Sequence, residues 1–181
     1  TNTNLRNADL FQVDLTHTDL RGANLLGTNL GSTNLSGADL SNSDLRGANL
    51  LGTNLENANL SGANLSGANL SNVVLMGISL ENVNLSHVEL SNSDLRGTNL
   101  ENANLSGADL SNSDLRGTNL ENANLSGTDL SYVNFRGANL LGTNLENANL
   151  SGADLSGLRL MNVNLENANL SGTDLSYVNF R

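Results

Sequence analysis

From Leu5 to Phe180 every fifth residue is Leu or Phe, without slip or insertion, which makes 36 consecutive units. All centre on Leu except those at Phe135 and Phe180. A helix would repeat its apolar positions near 3.6 and a flat strand every second residue. A period of five fits neither. It describes a short extended segment followed by a corner, over and over.

Positions around the central residue are equally regular. Two residues before it stands Ala, Thr, Ser or Val in 34 of the 36 units, the exceptions being Ile78 and Leu158. Residues two apart in an extended segment share a side, so the large residue and its small partner both face inward. Leu5, Leu40, Leu60, Leu100, Leu120, Phe135 and Phe180 are therefore expected in the core. The outward residue between them is Asn or Asp in all but four units, at Val74, Ser79, Glu89 and Arg159. Two residues after the centre, Gly or Asn fills 29 of the 35 places. Those residues tolerate positive φ, which puts the corner there. Asn or Asp before the centre can also bond nearby backbone and help close it.

Ala38-Asp39-Leu40-Ser41-Asn42 and Ala58-Asn59-Leu60-Ser61-Gly62 carry this pattern in full. It resembles the pentapeptide-repeat family, written A(D/N)LXX, and the resemblance covers essentially the whole chain. The resemblance implies an all-β fold, a right-handed quadrilateral β-helix of about nine coils with four pentapeptides each. The residues alone establish only the unit of five. Blocks 91–110 and 111–130 are nearly identical at a spacing of 20, whereas Arg21-Gly22-Ala23-Asn24-Leu25 recurs at Arg46, a spacing of 25. With 20 residues per coil, stacking at roughly 4.8 Å gives a rod about 43 Å long. The chain reads as one solenoid domain over 1–181 without a linker. Opening with Thr1 already in register, it reads as part of something longer with flanking regions outside it. Uncovered strand edges at both ends would favour end-to-end self-association.

Composition narrows the function classes. The net charge is −10, with no Cys, Pro, Trp or Lys. Such acidity opposes direct nucleic-acid binding, which needs a basic stripe, and docking on an anionic membrane. No stretch is long and apolar enough to span a bilayer, and no leader is visible, which favours the cytoplasm. No cofactor is expected, and the absence of Cys removes disulfides and thiolate metal sites.

Catalytic groups do not assemble on paper. His17 and His87, the two histidines, lie three and a half coils apart at corner positions. Ser follows Leu often, as at Ser36, Ser61 and Ser106, without a positioned His and a third orienting group. Carboxylates stand in outward columns rather than as a converging pair. The chain is accordingly read as no enzyme.

Surface candidates come from sorting outward residues in steps of 20. Arg96, Arg116 and Arg136 form one column. Glu81, Glu101 and Glu121 form another across the adjacent corner, and Asp94 and Asp114 sit two residues before Arg96 and Arg116 on the same face. These neighbouring columns should offset the repulsion of like charges stacked one coil apart. Apolar residues at polar positions form a second group: Val74, Met76 and, one coil earlier, Leu51. Leu141 and Met161 share a column, while Phe11 and Leu26 point outward near the start. Leu158 and Arg159 break the pattern together, as a local bulge would.

A rigid, non-enzymatic scaffold that binds an unknown protein partner fits these features best. The family resemblance also implies a DNA-mimic alternative, since members conferring fluoroquinolone resistance act on DNA gyrase. Against it, the charge amounts to one per roughly 4 Å of rod, compared with about 1.7 Å in duplex DNA. A designed or consensus repeat protein is a further reading of the near-identical blocks, and the resemblance favours a bacterial origin. Ice binding is opposed by the inward placement of Thr28, Thr53 and Thr98.

Overall fold

The computed structural model describes residues 3–181. Parallel bridges join residues 20 apart from Asn4↔Asn24 to Arg159↔Asn179, with gaps only at Asn59/Ser79 and Asn139/Arg159 among the described residues. Four pentapeptides therefore make each coil, and the chain is a right-handed, four-sided β-helix. We number the faces by their central residues: face 1 carries Leu5 and Leu25, face 2 Leu10 and Leu30, face 3 Leu15 and Leu35, and face 4 Leu20 and Leu40.

Each unit contributes three amides to the coil-to-coil ladder. Asn24 N–H donates to Thr3 O at 2.9 Å, Leu25 N–H to Asp44 O at 2.7 Å, and Gly27 N–H to Arg46 O at 2.9 Å. The corner is a β-turn, closed for example by Thr28 N–H donating to Leu25 O at 3.0 Å. Its third residue is always at positive φ, as a type II turn demands. The residue before the centre caps the corner, as where Asp39 Oδ1 accepts from Ser41 N–H at 3.0 Å. Outward Asn side chains also form ladders, Asn49 donating to Asn29 and Asn119 to Asn99, one coil back each time.

Corner residues lean over the next coil. The rings of His17, His87 and Tyr132 lie over Gly37, Gly107 and Gly152, where a side chain would collide with them. Each of these three rings thus has glycine twenty positions on.

The core is the four inward columns. Leu40, Leu60, Leu100, Leu120 and Phe135 are fully buried, and Leu5 is partly covered. Phe180 differs from expectation: it is 59% exposed, because it stacks on Leu160 with no coil on its other side. Inward threonines bond the coil beneath, as Thr98 Oγ1 donates to Leu75 O at 2.7 Å. That hydroxyl repays the burial of a polar group and ties adjacent coils through their interiors.

Candidate functional site

The ladder fails in two places. Between residues 52–62 and 71–81, the amides of Gly52, Asn57, Leu60, Gly62 and Ser79 lack the inter-coil bond that their counterparts make, and those of Leu55 and Val74 are stretched although the Asn54↔Val74 bridge persists. The bridge that would join Asn59 to Ser79 is likewise missing. The second place is smaller and affects Gly137, Leu140 and Arg159. Setting aside Asn162 in the final coil, every other such amide among the described residues is paired.

These two openings coincide with the two oversized inward residues. Ile78 stands over Ala58 and Leu158 over Ala138, in the same column of face 4. In both cases the bonds on the C-terminal side survive, Asn99 N–H to Ile78 O at 3.0 Å and Asn179 N–H to Leu158 O at 2.8 Å. Ser79 and Arg159 lose the bond toward the alanine beneath, and the larger opening extends onto face 3, where Val73 stands over Thr53. An extra methylene in a close-packed interior forces its neighbours apart, and here the coils separate. Ala58 and Ala138 are accordingly the least covered of the buried alanines, at 7% and 9%.

Valine at this position has a milder effect. The two longest inter-coil amide bonds, Asn84 N–H to Ala63 O at 3.4 Å and Asn134 N–H to Ser113 O at 3.3 Å, lie beside Val83 and Val133. Val88 over Ala68 leaves its neighbour at 3.0 Å, so valine is absorbed at some sites. Isoleucine and leucine exceed what the coil can absorb. At Leu158 the 20-residue register continues through the Arg159↔Asn179 bridge, so the irregularity expected there as a bulge is an opened seam instead.

A cavity of about 770 Å³ occupies the larger opening. It runs from face 3 around the corner onto face 4, between Thr53–Ala58 on one lip and Val74–Ser79 on the other. Val74 and Met76 stand on its upper lip, 60% and 57% exposed. Asn ladders stop here too, because Val74 and Ser79 occupy outward places that elsewhere hold Asn or Asp.

The structure brings most of the sequence-selected surface residues to the margins of face 4. Met76, Arg96, Arg116 and Arg136 line the corner from face 3, with Val74 just before it. Glu101, Glu121, Leu141 and Met161 line the corner to face 1. Leu51 is apart from both groups. Its neighbour one coil on is Ser71, at the corner between faces 2 and 3, and Glu56 is the residue beneath Met76.

Of the acidic residues expected to offset the arginine column, the aspartates pair with it and the glutamates do not. Arg96 clamps Asp94 with two bonds, Nε to Oδ1 at 2.8 Å and Nη2 to Oδ2 at 2.6 Å. Arg116 holds Asp114 in the same way, and Arg136 reaches Asp154 at 2.7 Å. The glutamates instead accept from asparagine, Glu101 from Asn119 and Glu121 from Asn139, both at 3.2 Å. Hydrogen bonds from Arg96 and Arg116 hold Asp94 and Asp114 below the usual carboxylate range. Among the described residues, no group of three or more His, Asp or Glu could hold a metal ion. His17 and His87 stand at different corners, and no helix is long and apolar enough to cross a membrane.

The family model for pentapeptide repeats matches in eight overlapping copies, at residues 1–27, 23–62, 38–77, 63–102, 93–131, 103–140, 128–167 and 159–181. Among solved structures, the chain is similar to HetL, a pentapeptide repeat protein involved in heterocyst differentiation regulation from the cyanobacterium Nostoc sp. strain PCC 7120. They are 33% identical over 98% of this chain and 87% of that one, with a TM-score of 0.54. It is also similar to the pentapeptide repeat protein Rfr23 from the cyanobacterium Cyanothece 51142, at 30% identity over 65% of this chain and 91% of that one, with a TM-score of 0.34. A trypsin-treated variant of QnrB1, a plasmid-mediated fluoroquinolone resistance protein, is 19% identical over 100% of this chain and 92% of that one, with a TM-score of 0.47. Among curated proteins none matches.

Proposed function

This chain belongs to the pentapeptide-repeat family, and on that premise we propose that it is a rigid, non-enzymatic scaffold whose face 4 and flanking corners bind a partner protein. One observation carries the reading. Val74, Met76, Leu141 and Met161, four of the apolar residues at polar positions, and the clustered charges gather along the two margins of face 4. The Asp and Asn side chains are meanwhile committed to corners, ladders and Arg clamps, which leaves them a structural rather than a chemical task. HetL's involvement in heterocyst differentiation regulation is a role that protein contact can fulfil, and it supports the binding reading. Solenoids present extended surfaces of this kind.

Site-specific photocrosslinking tests it. A benzophenone amino acid at Met76 or Met161 should give a discrete crosslinked species in source-cell lysate, and the same probe at Ser111, on the far corner, should not. Equal labelling from all three positions would remove the assignment of face 4. A catalytic activity that survives purification and is lost on a single substitution would remove the non-enzymatic reading. The gyrase-directed alternative rests on acidity, and here Asp94, Asp114 and Asp154 are each matched by an arginine. Gyrase supercoiling should therefore proceed unchanged in excess protein.

A further inference from the structure

The larger opening is not a slot through the rod. The Asn54↔Val74 bridge still crosses it on face 3, and the fully buried Leu55, Leu60 and Leu75 seal its floor. What stays open is a notch at the corner between faces 3 and 4, with Glu56, Asn57 and Ala58 below and Met76, Gly77 and Ile78 above. Its rim is apolar where Val74 and Met76 stand more than half exposed. The Met76 carbonyl, which in a closed coil would accept from the Asn57 amide, has no backbone donor. Glu56 is the one charged residue in the lining, and it forms no ion pair among the described residues. Arg96, the nearest arginine in its column, is two coils and roughly 10 Å away and is committed to Asp94.

We propose that this notch takes one arginine side chain of a partner protein, with its aliphatic stem against Val74 and Met76 and its guanidinium between the Glu56 carboxylate and the Met76 carbonyl. The proposal rests on the reading of the rod as a binding scaffold and locates one contact on it. A long basic side chain can lay its stem on apolar surface and keep its charged head at the polar edge. Arginine suits the notch better than lysine. An ammonium is a compact, strongly hydrated point charge, whereas the flat guanidinium sheds water more readily and offers five donors in a fork to acceptors of different kinds. The net charge of −10 draws a basic partner to the rod.

Ile78 is what holds the face 4 side of the notch open. Ile78→Thr should close that side, since threonine over alanine closes normally elsewhere: Asn29 N–H reaches Ala8 O at 2.9 Å beside Thr28.

The two methionines of the chain supply the readout. Met76 stands on the notch and Met161 on the other margin of face 4, so isotope labelling of the methionine methyls gives one reporting nuclear magnetic resonance signal and one internal control. The probe is the peptide acetyl-Gly-Leu-Arg-Leu-Gly-amide, titrated into the full chain. The Met76 methyl should shift saturably while that of Met161 stays in place. Citrulline for arginine, which keeps the shape and removes the charge, should weaken binding about tenfold, and lysine about threefold. Glu56→Gln should weaken it about fivefold. Ile78→Thr should slow exchange of the Asn57 amide and abolish binding, with an unchanged circular dichroism spectrum. Equal shifts at both methyls would mark diffuse attraction to an acidic rod and overturn the proposal. So would citrulline or lysine binding as well as arginine, or an affinity that Glu56→Gln or Ile78→Thr leaves intact. Crosslinking from Met76 that persists while the peptide leaves its methyl unmoved would keep the scaffold reading standing and remove the arginine contact alone.

Discussion

Replacing a buried leucine by a smaller residue normally destabilises a protein, yet Leu158→Thr should not. Leu158 is nearly buried, so its side chain is worth about 2 kcal/mol in transfer from water, and the threonine methyl recovers about 0.8 of that. The loss is therefore about 1 kcal/mol. Against it stand the amides of Gly137, Leu140 and Arg159, which lack inter-coil partners beside Leu158. Restoring those bonds should return about 1 kcal/mol each. The new hydroxyl would also face Phe135 O, the counterpart of the Leu75 O that accepts from Thr98. Leu158→Thr is accordingly expected to leave stability unchanged or raise it by about 1–3 kcal/mol. Leu100→Ala, in a closed part of face 4, should cost about 3–5 kcal/mol. Urea denaturation of both variants gives the comparison, and amide exchange at Gly137 and Leu140 reports seam closure directly. A loss above about 2 kcal/mol for Leu158→Thr, with those two amides still exchanging freely, would refute the wedge argument.

Corner glycines offer a paired test. Gly152→Ala places its Cβ 2.7 Å from the Tyr132 ring, whereas Gly157→Ala meets nothing within 4 Å; both sit at positive φ. Each should lose about 1–2 kcal/mol from the backbone alone, with Gly152→Ala clearly the worse in urea denaturation and equal losses counting against ring stacking. Thr98→Val should cost about 1 kcal/mol by removing the bond to Leu75 O, and a neutral result would show that the interior hydroxyls do not tie coils together. Acid should weaken the rod in a defined window. Arg96, Arg116 and Arg46 hold Asp94, Asp114 and Asp44 below the usual range. Their stabilisation is therefore complete above the unfolded value near 3.9 and is lost as pH falls through the lowered folded values. Arg96→Gln should flatten the decline of melting temperature below about pH 4, and an unaltered slope would remove the clamp from the account.

What could be read from the chain is what happens within five residues. The inward Leu and Ala, the outward Asn cap and the positive-φ corner are set by contacts inside one unit, so Ala38-Asp39-Leu40-Ser41-Asn42 announces its own conformation. Nothing in a single unit states how many units close a coil. Duplications at both 20 and 25 residues leave that open, and only the ladder from Asn4↔Asn24 onward fixes it at four units. Once it does, Leu51 falls beneath Ser71 rather than beneath Val74 and Met76, while Asp94 and Asp114, two residues before Arg96 and Arg116 on the same face, are legible in the sequence as their partners.

The seams show why the second level matters for function. Ile78 and Leu158 are visible in the sequence as two exceptions among 36 units, but an oversized inward residue is harmless or disruptive according to what lies one coil beneath it. Sorted into coils of 20, the two exceptions fall 80 residues apart in one column, each above an alanine. Both then open the rod on the same side of the same face. Closure of a coil depends on the fit of each inward residue to the one below, so a single methylene decides whether a backbone amide pairs with the next coil. Where a regular solenoid carries its binding chemistry should therefore be sought at departures from the inward small position, rather than among the outward residues that its repeat displays most conspicuously.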